Sequence, residues 1–445
     1  MRLMGILMLA ALAASAQQKG EEKKTLPLSL NKAVEIATSP DGATRLRLAN
    51  ELVRQADARR LQSRAALLPN VDGAYTFRSF TNNLQTFGIQ LPQVPGFAFS
   101  LPSLVGPLNV NDARATATQS LFDLAAIRRY QAARAQVSAV RADESAALAQ
   151  TKGTIAKSYL NAVRADAALE TARANVALAE RVLKQARSQK DAGTGTGIEI
   201  TRSQVTLANE KQRQITAEED RNTARLQLLR ALNVSLDAEL ELTDALKYQP
   251  AEIPDAPKAL AAARELRPEL KAQDQRQLAA KLNYDSLRSE RLPSANAFGD
   301  YGVLGRVNEL TIPTRTVGVS VRVPIWDGGR RDARRAEGAS QLRQETIRTR
   351  DTAQQVELEI RLALESLKSS ESQVVVALEA LTQSEKELAQ AERRFEAGVA
   401  SGLEVTEAQA RVARSRENNI AAVFRQKAAR VDLGVAVGNI DMVLQ

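Results

Sequence analysis

The 445-residue chain contains no cysteine and no histidine. Without cysteine there is no disulfide and no site for an N-terminal lipid-modified cysteine. Together the two absences remove the usual zinc and copper ligand sets, the Ser-His-Asp and Cys-His nucleophile systems and histidine acid–base work. Carboxylates, Lys, Tyr and Ser remain, and no cofactor is implied. Aromatic residues make up only 4% and are not interleaved with the basic ones, so no base-stacking platform for nucleic acid is visible. The four methionines give no hint of a metal route.

Charge of one sign is in slight excess, at +9. Arg and Lys nevertheless alternate with Glu and Asp, as in Glu385-Lys-Glu and Glu392-Arg-Arg. That pattern is a solvated helix face or a subunit contact rather than a phosphate-binding stripe. Long hydrophobic runs are also missing. The first sixteen residues, with Arg2, a short apolar run and Ala14-Ser-Ala16, read as a secretory signal peptide cut before Gln17. No later stretch approaches the roughly 20 apolar residues of a transmembrane helix.

Proline and glycine are scarce in two places. Residues 124–191 hold no proline and one glycine, Gly153; residues 330–397 hold no proline and one glycine, Gly338. Both segments are rich in Ala, Gln, Glu, Arg and Leu, strong helix formers. Each would make a helix of ~100 Å. Ile360, Leu367, Val374, Leu381, Leu388 and Phe395 recur at every seventh position, and Ile155, Ala162, Leu169, Val176 and Leu183 do the same. A seven-residue seam of this length implies supercoiled helix packing. It is too narrow to bury a helix alone, so other helices must cover the remaining faces.

What is present is a repetition. Gly193, Gly197, Glu199, Thr201 and Gln204 return as Gly398, Gly402, Glu404, Thr406 and Gln409, always 205 residues on. Roughly a quarter of the aligned positions are identical, without a gap, which marks a duplicated unit. In each copy the long helix ends at a glycine turn and a second helix follows, over 198–232 and 403–433. Gly193 and Gly398 sit where a left-handed residue ends a helix. Thr196 and Ser401 suit the next N-cap, with Glu199 and Glu404 as capping-box partners.

Upstream of each long helix lie a helix, a Leu-Pro break and two strand-like runs, 71–80 and 113–122 in the first copy, 297–308 and 315–326 in the second. Val317, Val319, Val321, Val323 and Ile325 alternate with smaller or polar residues. A loop is expected over 82–111 and a short one over 305–314. Four strands cannot close a barrel. Strands with one apolar and one polar face suit a membrane barrel, whose closure then needs several chains. The boundaries are a signal at 1–16, a first repeat at 17–235, a linker at 236–257 and a second repeat at 258–445. The fold class is mainly α with a small β part, built from duplicated long helical hairpins.

These features together resemble the TolC-type outer membrane efflux proteins. The resemblance covers the mature chain and rests on element order, duplication and the Ala-Gly-Val-Ala-Ser-Gly-Leu-Glu-Val-Thr-Glu-Ala-Gln run at 397–409. Leu28-Ser-Leu-Asn-Lys-Ala-Val-Glu-Ile-Ala is similar as well. The resemblance implies a homotrimer with a shared twelve-stranded barrel in outer membrane lipid and a helical tunnel through the periplasm. It implies a passive, gated exit duct of an efflux or type I secretion system, engaged by a periplasmic adaptor and an inner-membrane pump. By the same resemblance Glu404 and Glu407 form an acidic ring at the periplasmic entrance, with Glu199 and Arg202 in the corresponding places of the first copy. Such a ring would favour cations, and Arg202 against Glu407 or Glu199 is a candidate closing contact. Phe395 stands where the family carries a hydrogen-bonding Tyr, and Ala400 where an Arg closes the pore, so closure is expected to rest on Phe395 packing. Gly193, Thr194, Gly398 and Val399 fall on the adaptor-contact tip.

The competing readings are a periplasmic coiled-coil adaptor and a structural scaffold. The two-fold repeat argues against the first, the alternating valine strand and the signal against the second. As an enzyme the chain has little to offer. Gly193-Thr-Gly-Thr-Gly follows a helix rather than a strand and lacks the Gly-Lys-Ser/Thr ending of a phosphate loop.

Overall fold

The computed structural model describes residues 26–88, 103–397 and 399–444. The expected signal at 1–16, residues 89–102 of the expected loop, and Gly398 lie outside them. A short strand β1 (Leu26–Leu28) leads into helices α1 (Leu30–Thr38) and α2 (Thr44–Ala65). Strands β2 (Asn70–Asn83) and β3 (Leu104–Phe122) follow, then α3 (Leu124–Asp191), α4 (Gly197–Leu232) and a short strand β4 (Leu240–Leu242). The second half repeats the order: α5 (Ala256–Leu266), α6 (Pro268–Ser289), β5 (Ser294–Arg306), β6 (Ile312–Arg322), α7 (Arg330–Glu396), α8 (Gly402–Val437) and α9 (Asp441–Leu444).

The chain divides into two units. One comprises Asn50–Glu144 and Pro268–Gln354. Its antiparallel sheet has the order β2-β3-β5-β6, so the hairpins of the two repeats pair through β3 and β5. Both helices before the hairpins stop just short of a proline, Pro69 or Pro293, because the residue before proline disfavours the helical region. The register puts Asp72, Thr116, Asp300 and Thr316 in one row across the sheet, and Ala74, Arg114, Gly302 and Thr314 in the next. On that face Arg114 reaches Asp300, Asp112 (3.3 Å) and Thr314 (3.0 Å). Gly302 lies directly beneath it; a Cβ there would come within 2.5 Å of the Ala113 carbonyl. Val71, Tyr75 and Phe77 of β2 and Val317, Val319 and Val321 of β6 share the opposite face and are all exposed, Val317 at 85%.

Strand limits differ from the sequence-based ones. The first hairpin is longer, and β3 begins at Leu104 inside the expected loop, because pairing continues past a bulge to Asn83↔Leu104. The second hairpin turns earlier than expected. Asn308 adopts a left-handed conformation (φ 67) just after β5, and β6 ends where Arg322 meets Ser294. Pro324 has no N–H to extend the ladder, so Val323–Trp326 lie outside the strand. The second half of each long hairpin also starts one residue earlier than expected, at Gly197 and Gly402, and α8 runs on to Val437, where Gly438 (φ 82) caps it.

The other unit comprises Met1–Ala49, Ser145–Arg267 and Gln355–Gln445. The seven-residue seam is its spine: Ile155, Ala162, Leu169, Ile360, Leu367 and Val374 are all essentially inaccessible. Leu28, Tyr159, Leu228, Leu232 and Leu240 join the first seam in a core where a Leu→Ala change costs about 2–5 kcal/mol. The expected linker is not structureless. Its β4 pairs in parallel with β1, Leu26 to Leu240 and Leu28 to Leu242, because its leucines complete that core. Gly153, the single glycine of α3, is where α8 approaches; a Cβ there would meet Val435 at 2.7 Å. Among the described residues no helix is long and apolar enough to cross a membrane.

Candidate functional site: the two hairpin turns

The tip signature divides cleanly on the first turns of α8. Val405, Ala408 and Val412, at helical spacing, are buried with Leu178 and Val182 of α3 and with Leu388, Ala391 and Phe395 of α7. Glu404 and Glu407 fall on the outward side of the same turns. The order Leu-Glu-Val-Thr-Glu-Ala-Gln is therefore an amphipathic helix start: Val405, Ala408 and Gln409 inward, the two carboxylates outward.

Phe395 is only 3% exposed and is a centre of this cluster, not a pore-facing group within its own chain. Its carbonyl accepts from Gln189 Nε2 at 3.3 Å. Its aromatic ring fills the interior between α3, α7 and α8, because the seventh-residue seam that ends at Phe395 points there.

The two equivalent glutamates behave differently. Glu199 Oε2 accepts from the Thr196 N–H at 3.2 Å, capping α4, and its Oε1 accepts from the Gly402 N–H at 3.4 Å. One carboxylate thus serves the positive ends of two helices and ties the two turns together. Glu404 caps nothing. The Ser401 side chain makes no cap bond, and Glu404 Oε1 lies 3.2 Å from Arg394 Nη1. Glu407 lies 3.8 Å from Arg411, whose guanidinium grips Glu387 with two bonds of 2.7 and 2.9 Å. Arg202 is exposed and, among the described residues, pairs with neither Glu199 nor Glu407.

At the tips, Gly193 has φ 76, and the Thr194 and Gly195 N–H groups return to the Gln189 carbonyl. Only a residue tolerant of that left-handed region closes α3 this way. Gly193, Thr194 and Val399 are all exposed.

One feature of this region gave no sequence signal. Glu210 of α4 and Gln409 of α8 are buried and border a cavity of about 140 Å³ with Asn175 and Arg213. Glu210 meets Arg213 at 3.0 Å, but among the described residues its second oxygen, and the Gln409 amide nitrogen, have no hydrogen-bond partner. Burial pushes the Glu210 carboxyl up from the ordinary glutamate range; Arg213 opposes this and Glu417 adds to it. A buried carboxylate paired from the adjoining turn looks, in sequence, like any surface Glu-x-x-Arg.

No curated protein matches the chain in sequence. The channel of Campylobacter jejuni, CmeC, superposes with a TM-score of 0.75 at 17% identity, over 92% of this chain and 86% of that one. VceC of Vibrio cholerae gives 0.77 at 16% identity, over 92% and 96%. The open state of MtrE from Neisseria gonorrhoeae gives 0.73 at 19% identity, over 92% and 89%. The family model for outer membrane efflux proteins matches residues 42–234 and 259–439, nearly the whole chain in two pieces. The adaptor, scaffold and enzyme readings fall with that match, and the chain belongs to the outer membrane efflux protein family, the passive exit ducts of the outer membrane.

Proposed function

We propose that three copies of this chain close one twelve-stranded barrel and that the hairpin turns form its gated periplasmic entrance, where a periplasmic adaptor and an inner-membrane pump dock. The single observation that carries this reading is the four-stranded sheet. It has two unpaired edges, β2 and β6, one exposed apolar face and one face bearing Asp72, Arg114 and Asp300. An open edge beside an exposed valine face invites pairing with further strands and cover by lipid. Three equal sheets supply such a barrel with its charged face inward.

Glu404 and Glu407 then ring the entrance, each beside an arginine, with Glu199 and Arg202 in the first-copy positions. Gly193, Thr194, Gly398 and Val399 form the adaptor contact. Transport energy comes from the partner. The test is the mass of the detergent-extracted assembly together with single-channel conductance in planar bilayers, for wild type and for Glu404→Gln/Glu407→Gln. Trimeric pores whose cation preference weakens in the double variant are expected. Monomeric protein, or no conductance even after removal of the entrance turns, would sink the duct; trimeric pores indifferent to the substitutions would sink the acidic ring alone.

A further inference from the structure

A second cavity lies away from the turns, where the segment after β4 meets α1, α3 and α8. Its volume is about 500 Å³. Lys247 from the segment and Lys427 and Arg430 from α8 line it, with Asp244 the single acid. Other cations close to this hollow in the fold meet carboxylates: Arg221 and Arg225 share Asp166 at 3.0 Å, and Lys157 meets Asp432. Among the described residues none of Lys247, Lys427 and Arg430 has an ion pair.

Asp244 is one carboxylate against three cations. Its Oδ2 accepts from the Leu30 N–H at the start of α1 and lies within bonding distance of the Tyr159 hydroxyl, both at 2.8 Å. Tyr159 is 1% exposed and also lies 2.9 Å from the Leu28 carbonyl, so this carboxylate is fixed in place. Its charge offsets the positive end of α1. Two lysines and an arginine are left facing one polar hollow. Consistent with that crowding, burial and then Arg430 push the Lys427 ammonium below the usual lysine range, with Asp244 opposing.

We propose that this hollow is a binding site for a small multivalent oxyanion, carrying phosphate or carboxylate groups, held by Lys247, Lys427 and Arg430. Each cation donates charge-assisted hydrogen bonds, and Arg430 offers a planar fork that fits an oxyanion with two bonds. The anion takes the place that a second carboxylate would otherwise fill. Bound there, it joins the segment between the two repeats to the last long helix of the second. All the lining residues belong to one chain.

The test is calorimetric titration of the purified full-length protein in detergent, with pyrophosphate and with citrate, at fixed ionic strength. One saturable site per chain is expected for at least one probe, and the tighter of the two identifies phosphate or carboxylate as the preferred group. Lys427→Gln and Arg430→Gln should each weaken binding about tenfold, the loss of one charge-assisted contact. Lys427→Arg should restore most of it. Lys247→Gln, at an exposed position, removes a cation without disturbing a helix and should weaken binding as well. Absence of saturable binding by both probes, or binding unchanged in Lys247→Gln and Arg430→Gln, overturns the proposal.

Discussion

Glu199 and Glu404 occupy equivalent places in a duplicated sequence but not equivalent environments. Glu199 is held by two backbone N–H groups, one from each turn, whereas Glu404 answers a half-exposed arginine. Glu199→Ala, which removes both acceptors, should therefore destabilise the tip by about 0.5–2 kcal/mol, the range of lost helix caps. Glu404→Gln should change it by less than about 1 kcal/mol, as expected for an exposed ion pair. Hydrogen exchange of the amides at 196–200 and 402–404 reads the difference; equal protection losses would refute it. Glu210 adds a pH dependence. Its folded-state pKa is raised above the ordinary 4.5, so its contribution to stability is fully present below that value and is lost as pH rises through the folded pKa. Glu210→Gln should flatten the exchange rates of α4 over that window and slow them at neutral pH. An unchanged pH profile would show that the carboxylate is solvated. The spacing Glu-x-x-Arg is plain in the sequence; the burial that shifts the glutamate arises only from α8 and α3 lying over it.

At the scale of elements, the sheet carries its meaning in its two faces. Val319 and Thr316 sit on opposite faces of β6, one in an exposed apolar row and one beside Asp300. In a membrane barrel Val319→Arg should destabilise the assembly by about 2–4 kcal/mol near mid-membrane, while Thr316→Arg is tolerated. The yield of heat-resistant oligomer extracted from outer membranes measures this; equal yields would reject the assignment of faces. Alternation at Val317, Val319 and Val321 was legible because a strand has period two. Where that strand ends was not. The left-handed Asn308 and the register with β5 set its start, and Pro324 with the start of β5 at Ser294 sets its end; none of these leaves a mark in hydrophobicity. The long helices were legible to within a residue, since the absence of proline over 68 and 67 residues leaves few other structures open. The short strand β4 escaped notice because three residues make no pattern; only pairing with β1, more than 200 positions away, creates it.

For the whole molecule, selectivity follows from how charge is matched. Each carboxylate of the proposed ring has an arginine beside it, Arg394 for Glu404 and Arg411 for Glu407. In the proposed ring, cation preference would then be set by a balance, not by bare acids. Glu404→Gln alone leaves Arg394 unopposed and should move the reversal potential toward anions, further than Glu407→Gln, whose Arg411 stays bound to Glu387. Reversal potentials under a salt gradient give the order, and the reverse order would place Glu407 nearer the constriction.

The sequence by itself determined the class of this protein. Lack of cysteine and histidine removed most chemistries, lack of proline and glycine imposed two very long helices, and the duplicated tip signature fixed their pairing. These are local properties, set by backbone propensity and by the period of apolar residues. Only the tertiary structure decided which polar side chains are shared, spent or left over. It turned Phe395 inward, gave Glu199 to two helices at once, and left Lys247, Lys427 and Arg430 around one hollow. The physical reason is that a charge's role depends on distance and burial, and both are set by residues hundreds of positions away.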